Sequence, residues 1–261
     1  MAYITLVGCC KILIYFERYG YMFLEYANLL HSKTPNLIPV TMRNRLTVLL
    51  LLLVLATMAN AQARKFSAYY YQRATLFEKM TDKSGGIIFI GDSITDGGEW
   101  CTLFGNPSIL NFGISGDISE GVLARINSVT QHKPKKLFLM IGINDLATGI
   151  SPDSISKNIV RIIDNVQQNS PKTKIYVQSV LPVNPSFSMF SGHVSKGKEV
   201  IILNGLVKSV CEAKNCTFID LYSSFKMPDS ELLNPQYTND GLHLLGDGYI
   251  LWSKLVSSYV K

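Results

Sequence analysis

The chain has 261 residues, of which 47% are hydrophobic and 17% are charged, with a formal net charge of +6. This composition excludes a disordered chain, and five cysteines are too few for a small disulfide-stabilised scaffold. The length allows one large domain or two small ones.

Residues 42–61 show the three parts of a secretory signal peptide in order. Met42–Arg45 is basic, Leu46–Met58 is apolar, and Ala59–Ala61 has a small residue at each end. The apolar part is 13 residues long, shorter than the ~20 residues that a membrane-spanning helix needs. We therefore predict cleavage before Gln62 and export to the periplasm or the extracellular space, without stable membrane insertion after signal removal.

Residues 1–41 precede the predicted signal peptide, although a signal peptide begins at the first residue of a protein. We interpret them as a misassigned extension in front of a true start at Met42. A competing interpretation makes Ile4–Phe16 an additional apolar anchor, although Lys11 interrupts it. Residues 62–261 are predicted to form a single domain with a sizeable core. They contain 20 basic and 17 acidic residues, so their charge of +3 indicates no nucleic-acid partner.

Short apolar segments alternate with longer helical patterns along this predicted domain. Continuous apolar runs are typical of strands that are buried on both faces, and their alternation with helices predicts an α/β fold with a parallel sheet. The predicted strands are 86–90, 109–112, 137–141, 175–180 and 217–221, and the predicted helices are 65–80, 119–129, 152–168, 195–214 and 244–260.

Polar, glycine-bearing clusters follow the strands and precede the last helix. Ser93, Gly116 and Asn144 each lie just after a predicted strand, and Asp240 and His243 lie shortly before the last helix. Taken singly, each residue could be a helix cap or a turn residue. Because the carboxyl ends of parallel strands meet at one edge of the sheet, together they predict a site for acyl transfer.

These clusters resemble the sequence blocks of the SGNH (GDSL-type) esterases and lipases, from about Gly85 to the C-terminus. Within that family the chain looks most similar to compact secreted bacterial acetylesterases, such as the sialate O-acetylesterases. The resemblance implies a three-layer α/β/α sandwich of flavodoxin-like type, with a five-stranded parallel sheet. It implies neither a metal nor an organic cofactor. The blocks are Gly91–Thr95, Gly116, Gly142–Asp145 and Asp240–His243.

The resemblance also assigns a role to each of these residues. Ser93 would be the nucleophile, His243 the general base, and Asp240 the carboxylate that orients His243. The N–H groups of Ser93 and Gly116 and the side chain of Asn144 would form the oxyanion hole.

Further residues near these blocks are candidates for contact with a substrate. Asp92, Trp100 and His193 are predicted contacts, with Trp100 as a wall of the acyl pocket. His193 lies in a long loop at 181–194, which is typical of a lid or a specificity wall. His132 sits in a polar turn and is predicted to be at the surface.

Cys211 and Cys216 could close a small disulfide loop or remain two unpaired thiols near the surface of one turn. Nothing in the sequence indicates the oligomeric state.

The sequence thus predicts a serine esterase that removes short acyl groups, acetyl above all, from carbohydrate esters through an acyl-enzyme. One alternative is a lysophospholipase or thioesterase of the same fold that acts on longer chains. Another is a carbohydrate-binding protein without catalytic activity.

Overall fold

The computed structural model describes residues 3–7, 11–15, 48, 65–80 and 85–261. The chain divides into two compact units, Met1–Lys65 and Phe66–Lys261. In the first unit, strands β1 (Tyr3–Val7) and β2 (Lys11–Tyr15) pair antiparallel, and the segment considered above as an apolar anchor falls on them. Apart from Val48, the predicted signal peptide lies outside the described residues.

The second unit is built on a five-stranded parallel sheet with the strand order β4-β3-β5-β6-β7. This confirms the α/β class, the number of strands and their parallel pairing. Most residues of these strands are buried, as their apolar sequences indicate. The strands are β3 (Ile87–Gly91), β4 (Ile109–Gly113), β5 (Lys136–Met140), β6 (Lys174–Gln178) and β7 (Thr217–Ile219).

Helices connect the strands and surround the sheet. Three short helices among them carry the predicted site residues Ser93, Asn144 and His193. The helices are α1 (Ala68–Lys79), α2 (Ser93–Asp96), α3 (Trp100–Phe104), α4 (Ser119–Ala124), α5 (Ile126–Thr130), α6 (Ile143–Ala147), α7 (Pro152–Asn169), α8 (Ser191–Val194), α9 (Gly197–Lys214), α10 (Tyr222–Phe225) and α11 (Gly246–Val260).

Aromatic contacts place helices on both faces of the sheet. Ile90 is in register with Phe112, so Phe112 and Phe89 point to opposite faces. Phe112 stacks on Phe77 of α1, with 4.1 Å between the ring centroids. On the other face, Phe89 stacks on Trp100 of α3 at 4.4 Å. The predicted three-layer α/β/α arrangement is therefore confirmed.

The predicted helix over 119–129 is interrupted at Arg125, where α4 ends and α5 begins. The Arg125 side chain is buried, and its Nη2 lies 2.8 Å from Oδ2 of Asp117 and 3.2 Å from the carbonyl oxygen of Gly91. The backbone of Arg125 leaves the helical conformation (φ −108°, ψ 10°). The apolar spacing continues through this point, so it could not reveal the break.

The prediction that His132 is a surface residue is wrong. Its side chain is only 2% exposed, and its ring packs edge-to-face against Phe112 at 5.4 Å. The flanking Gln131 and Lys133 are exposed, which explains the polar appearance of the turn.

Cys211 and Cys216 are free thiols in the structure. Cys211 is buried in α9 rather than near the surface, and its carbonyl oxygen accepts the N–H of Cys216 at 3.0 Å. This hydrogen bond closes the end of α9 without a covalent link.

Candidate active site

Ser93 is the first residue of α2, directly after strand β3. Asp92 caps this helix, because its Oδ1 accepts the N–H of Ile94 at 3.0 Å. Gly91 packs closely against the neighbouring strand, because a Cβ on it would lie 2.2 Å from the carbonyl oxygen of Met140. Glycine is therefore required at position 91, and Ser93 lies at the carboxyl end of the sheet.

Ser93, His243 and Asp240 form one chain of hydrogen bonds. Ser93 Oγ lies 3.0 Å from His243 Nε2, and His243 Nδ1 lies 2.7 Å from Asp240 Oδ2. A carboxylate only accepts hydrogen bonds, so Nδ1 carries the proton and Nε2 accepts from the Ser93 hydroxyl. This arrangement is the one that general-base activation of a serine requires.

Asp240 is held by the backbone as well as by His243. Its Oδ1 accepts the N–H groups of Leu242 and His243 at 2.8 and 2.7 Å. Burial opposes ionisation, but the hydrogen bonds from the His243 side chain and from these N–H groups outweigh it, so the pKa of Asp240 lies below its ordinary value. Asp240 therefore stays ionised and can stabilise an imidazolium at His243.

The turn that carries Gly116 has a hydrogen bond from the N–H of Asp117 to the carbonyl oxygen of Ile114, at 3.0 Å. Gly116 has φ +78°, as the third position of a type II turn requires. Ser115 ties the turn to α2, since its Oγ donates to Asp96 Oδ2 at 2.9 Å. Within the described ranges, neither the Ser93 nor the Gly116 N–H is engaged in a hydrogen bond.

Asn144, in the first turn of α6, reaches the same region. Its Nδ2 donates to the carbonyl oxygen of Asp117 at 2.8 Å, so the amide lies beside the Gly116 turn. His193 of α8 contacts Asn144 from the other side, with Nε2 2.9 Å from Oδ1. Burial and the nearby His243 both lower the pKa of His193. The structure therefore places His193 against the predicted oxyanion residue.

Asp92 and Trp100 do not reach the cleft, and the prediction that they contact substrate is wrong. Both side chains are 1% exposed. Trp100 stacks on Phe89 and donates from Nε1 to the carbonyl oxygen of Thr95 at 2.9 Å, as a core residue. Asp92 lies beneath the nucleophile as a helix cap, and burial raises its pKa to about 7.

A cleft of about 520 Å³ opens in front of Ser93 and His243. Its size is within the range of small-molecule sites. Sequence reasoning missed Tyr69, which lies on a helix before the first strand of the parallel sheet, and Asp96, which ends α2. The lining residues are Tyr69, Ser93, Asp96, Gly97, Ser115, His243, Leu244 and Tyr249. The described residues include no group of three or more His, Cys, Asp or Glu side chains that could hold a metal ion.

Residues 89–251 match the model of the GDSL-like Lipase/Acylhydrolase family. The chain belongs to this family. The match contains Ser93, Gly116, Asn144, Asp240 and His243, and it makes the chain a hydrolase of the GDSL type.

Individual relatives agree with this assignment. The chain is 27% identical to platelet-activating factor acetylhydrolase IB subunit alpha2 of Rattus norvegicus over 175 residues, which cover 64% of this chain and 72% of the relative. A GDSL-like lipase of Bacteroides thetaiotaomicron is 26% identical, with a TM-score of 0.65, over 73% of this chain and 96% of the other. A Streptococcus pneumoniae protein, provisionally described as a platelet activating factor, is 25% identical, with a TM-score of 0.69, over 79% and 99%.

Proposed function

We propose that this GDSL hydrolase is a serine esterase that removes short acyl groups, acetyl above all, from hydroxyl groups of carbohydrates. The observation that carries the proposal is the unbroken hydrogen-bonded chain Ser93–His243–Asp240, with distances of 3.0 and 2.7 Å. A serine hydroxyl becomes an effective nucleophile when a neighbouring imidazole can take its proton.

In the acylation step, Ser93 Oγ attacks the ester carbonyl carbon while its proton passes to His243 Nε2. The carbonyl oxygen becomes an oxyanion, which the N–H groups of Ser93 and Gly116 and the amide of Asn144 stabilise. The carbon–oxygen bond to the alcohol then breaks, and His243 returns the proton to the departing alcohol. The products are a free alcohol and an acyl group on Ser93.

In the deacylation step, water takes the place of the alcohol. His243 removes a proton from the water as it attacks the acyl carbonyl carbon, and the same donors stabilise the second oxyanion. Collapse of this intermediate releases the carboxylic acid, and the proton on His243 returns to Ser93 Oγ. Asp240 stays ionised throughout, which its low pKa supports.

Two observations support a short acyl group and a polar alcohol. The relative named above is an acetylhydrolase by name. The rim of the cleft carries the hydroxyls of Tyr69 and Ser115 and the carboxylate of Asp96, which suit a hydroxyl-rich alcohol better than a hydrocarbon chain.

A second candidate, a lysophospholipase or thioesterase for longer chains, is favoured by exposed apolar residues beside the base. Phe190 is 41% exposed and its ring lies 4.9 Å from that of His243; the adjacent Met189 is 55% exposed. Such side chains could contact a longer acyl group.

Hydrolysis of p-nitrophenyl esters from acetate to palmitate by the full chain tests the proposal. We expect kcat/KM for acetate to exceed that for octanoate by about tenfold or more, because a site that fits short acyl groups discriminates against added methylenes. Ser93→Ala should reduce acetate turnover by about 10³-fold or more. The control Ser253→Ala removes a hydroxyl that donates to the carbonyl oxygen of Ile250 within α11, and should behave as the parent does.

The other outcomes are equally informative. A Ser93-dependent preference for octanoate or palmitate would replace the proposal with the long-chain candidate. Absence of Ser93-dependent turnover at every chain length, in protein that is folded by circular dichroism, would leave a binding protein without catalytic activity.

We further propose that the chain is exported and that residues 42–61 are removed as a signal peptide. The support is the succession of a basic start, an apolar centre and a small-residue end.

A further inference from the structure

Tyr69 presents a fixed aromatic ring to the cleft. It lies near the start of α1, and its hydroxyl donates to Asp96 Oδ2 at 3.0 Å. The next residue, Tyr70, anchors the helix, because its buried hydroxyl donates to the carbonyl oxygen of Gly121 at 2.8 Å. The side chain of Tyr69 nevertheless remains 40% exposed. Its ring is therefore both accessible and held in one orientation.

The two carboxylate oxygens of Asp96, whose side chain is 15% exposed, have different surroundings. Its Oδ2 accepts from the Tyr69 hydroxyl and from both the Oγ and the N–H of Ser115, at 2.9–3.2 Å. In the described part of the chain, Oδ1 forms an ion pair with Arg73 Nη2 at 4.0 Å, beyond hydrogen-bond distance, and accepts no hydrogen bond. A hydroxyl of a bound molecule can therefore donate to Oδ1 without displacing a protein donor.

The ring of Tyr69 and the Oδ1 atom of Asp96 suit the alcohol half of an ester better than its acyl half. An acetyl group has no hydrogen-bond donor for a carboxylate, and it is too small to cover an aromatic ring. The alcohol half can supply both kinds of contact, if it carries further hydroxyls and a flat array of C–H groups. A sugar ring has this combination of hydroxyl donors and apolar C–H face.

We propose that Tyr69 and Asp96 form the subsite for the alcohol half of the substrate, with a sugar ring stacked on Tyr69 and a sugar hydroxyl donating to Asp96 Oδ1. This inference rests on the proposed function, because it takes the ester to be cleaved at Ser93. The cleft that contains both residues also contains Ser93 and His243, so one ligand can reach all four.

Tyr69 comes from outside the region that defines the family. The family match begins at residue 89, whereas α1 spans Ala68–Lys79. The catalytic residues and Asp96 therefore lie within the region that matches the family. The aromatic ring of Tyr69 lies on the helix before that region. Tyr69 is a determinant of specificity and takes no part in the chemical step.

The test compares two acetyl esters that differ in the alcohol half, 6-O-acetylglucose and p-nitrophenyl acetate. The quantity measured is the ratio of kcat/KM for the sugar ester to that for the nitrophenyl ester. Tyr69→Ala should lower this ratio about tenfold, mainly through a higher KM for the sugar ester. Tyr69→Phe keeps the ring and should retain at least about a third of the parent ratio. The control Leu76→Ala alters an exposed side chain of the same helix and should leave the ratio unchanged.

Several results would overturn the inference. One is an unchanged ratio in Tyr69→Ala; another is a loss in Tyr69→Phe as large as that in Tyr69→Ala. A third is a parent enzyme that prefers acetylcholine to 6-O-acetylglucose, because the Tyr69–Asp96 pair would then recognise a cation. Failure of the proposed function is distinct from all three, since it would appear as loss of Ser93-dependent hydrolysis of p-nitrophenyl acetate itself.

Discussion

At the scale of single residues, the amide of Asn144 has a fixed orientation. Nδ2 donates to the carbonyl oxygen of Asp117, and Oδ1 faces Nε2 of His193. Because an amide oxygen can only accept, His193 must donate from Nε2. If the amide were rotated by 180°, Nδ2 would face the N–H donor of His193, and Oδ1 would face the carbonyl oxygen of Asp117. His193 therefore acts as a positioning residue for the oxyanion hole.

Replacing His193 should reduce turnover without weakening substrate binding. Loss of one oxyanion donor costs about 10²–10³-fold in kcat, and a misoriented donor should cost less, about tenfold. We expect His193→Ala to lower kcat for p-nitrophenyl acetate by about tenfold, with KM within about twofold of the parent.

His193→Gln offers a matched comparison, because its side-chain amide can also donate to Asn144. We expect this variant to recover most of the lost kcat. A rise in KM with kcat intact would instead support the direct substrate contact that the sequence suggested for His193.

The catalytic residues could be predicted from the sequence, because each belongs to a short motif at a strand end. The surroundings could not. Trp100 follows the nucleophile closely, but its position along the chain does not show which side of α3 faces the cleft. Tyr69 belongs to no motif, and only the packing of α1 brings it beside Ser93.

At the scale of elements, helix α2 begins on a buried acid. Asp92 caps the helix, and burial raises its pKa from 3.8 to about 7. Because the pKa in the folded protein lies above the ordinary value, the folded protein binds this proton more tightly than the unfolded chain does. The stabilising contribution is therefore complete below about pH 4 and is lost as the pH rises through 7.

Asp92→Asn should remove this dependence on pH, since asparagine keeps an oxygen for the Ile94 N–H and cannot ionise. Relative to the parent, the free energy of unfolding of the variant should rise by roughly 2–3 kcal/mol between pH 5 and pH 8. Urea unfolding at the two pH values measures it. The exposed Asp153 provides the control, and Asp153→Asn should follow the parent. Parallel pH curves for Asp92→Asn and the parent would contradict the assignment of the titrating group.

The strands were the most predictable elements, and the helix ends were the least. Most residues of strands β3 to β6 are buried, so the sequences of these strands are mostly apolar. The break between α4 and α5 depends instead on the buried pair of Arg125 and Asp117. A charged residue within an amphipathic pattern looks like a solvent-facing position, and nothing local indicates that its partner lies eight residues earlier.

At the scale of the whole molecule, the proposed export determines which residues the working enzyme contains. We expect the protein recovered outside the cytoplasm of a bacterial host to begin at Gln62, as measured by N-terminal sequencing and intact mass. A charge in the apolar segment, as in Leu51→Arg, should block processing and retain the chain inside the cell. A secreted product that still contains Met42–Arg45 would refute the predicted cleavage.

None of the helices in the described part of the chain is long and apolar enough to cross a membrane.

The nucleophile and the base are 150 residues apart in the chain, and they meet only across the finished sheet. A fragment that lacks the last strand and the segment after it lacks His243, and so it cannot complete the hydrogen-bonded chain Ser93–His243–Asp240. The recovery of ester hydrolysis therefore reports that the whole sheet and the segment after it have formed. The far-ultraviolet circular dichroism signal, by contrast, would already appear when helices form in a collapsed intermediate. In a refolding experiment, the delay between the two signals would time the final assembly of the parallel sheet.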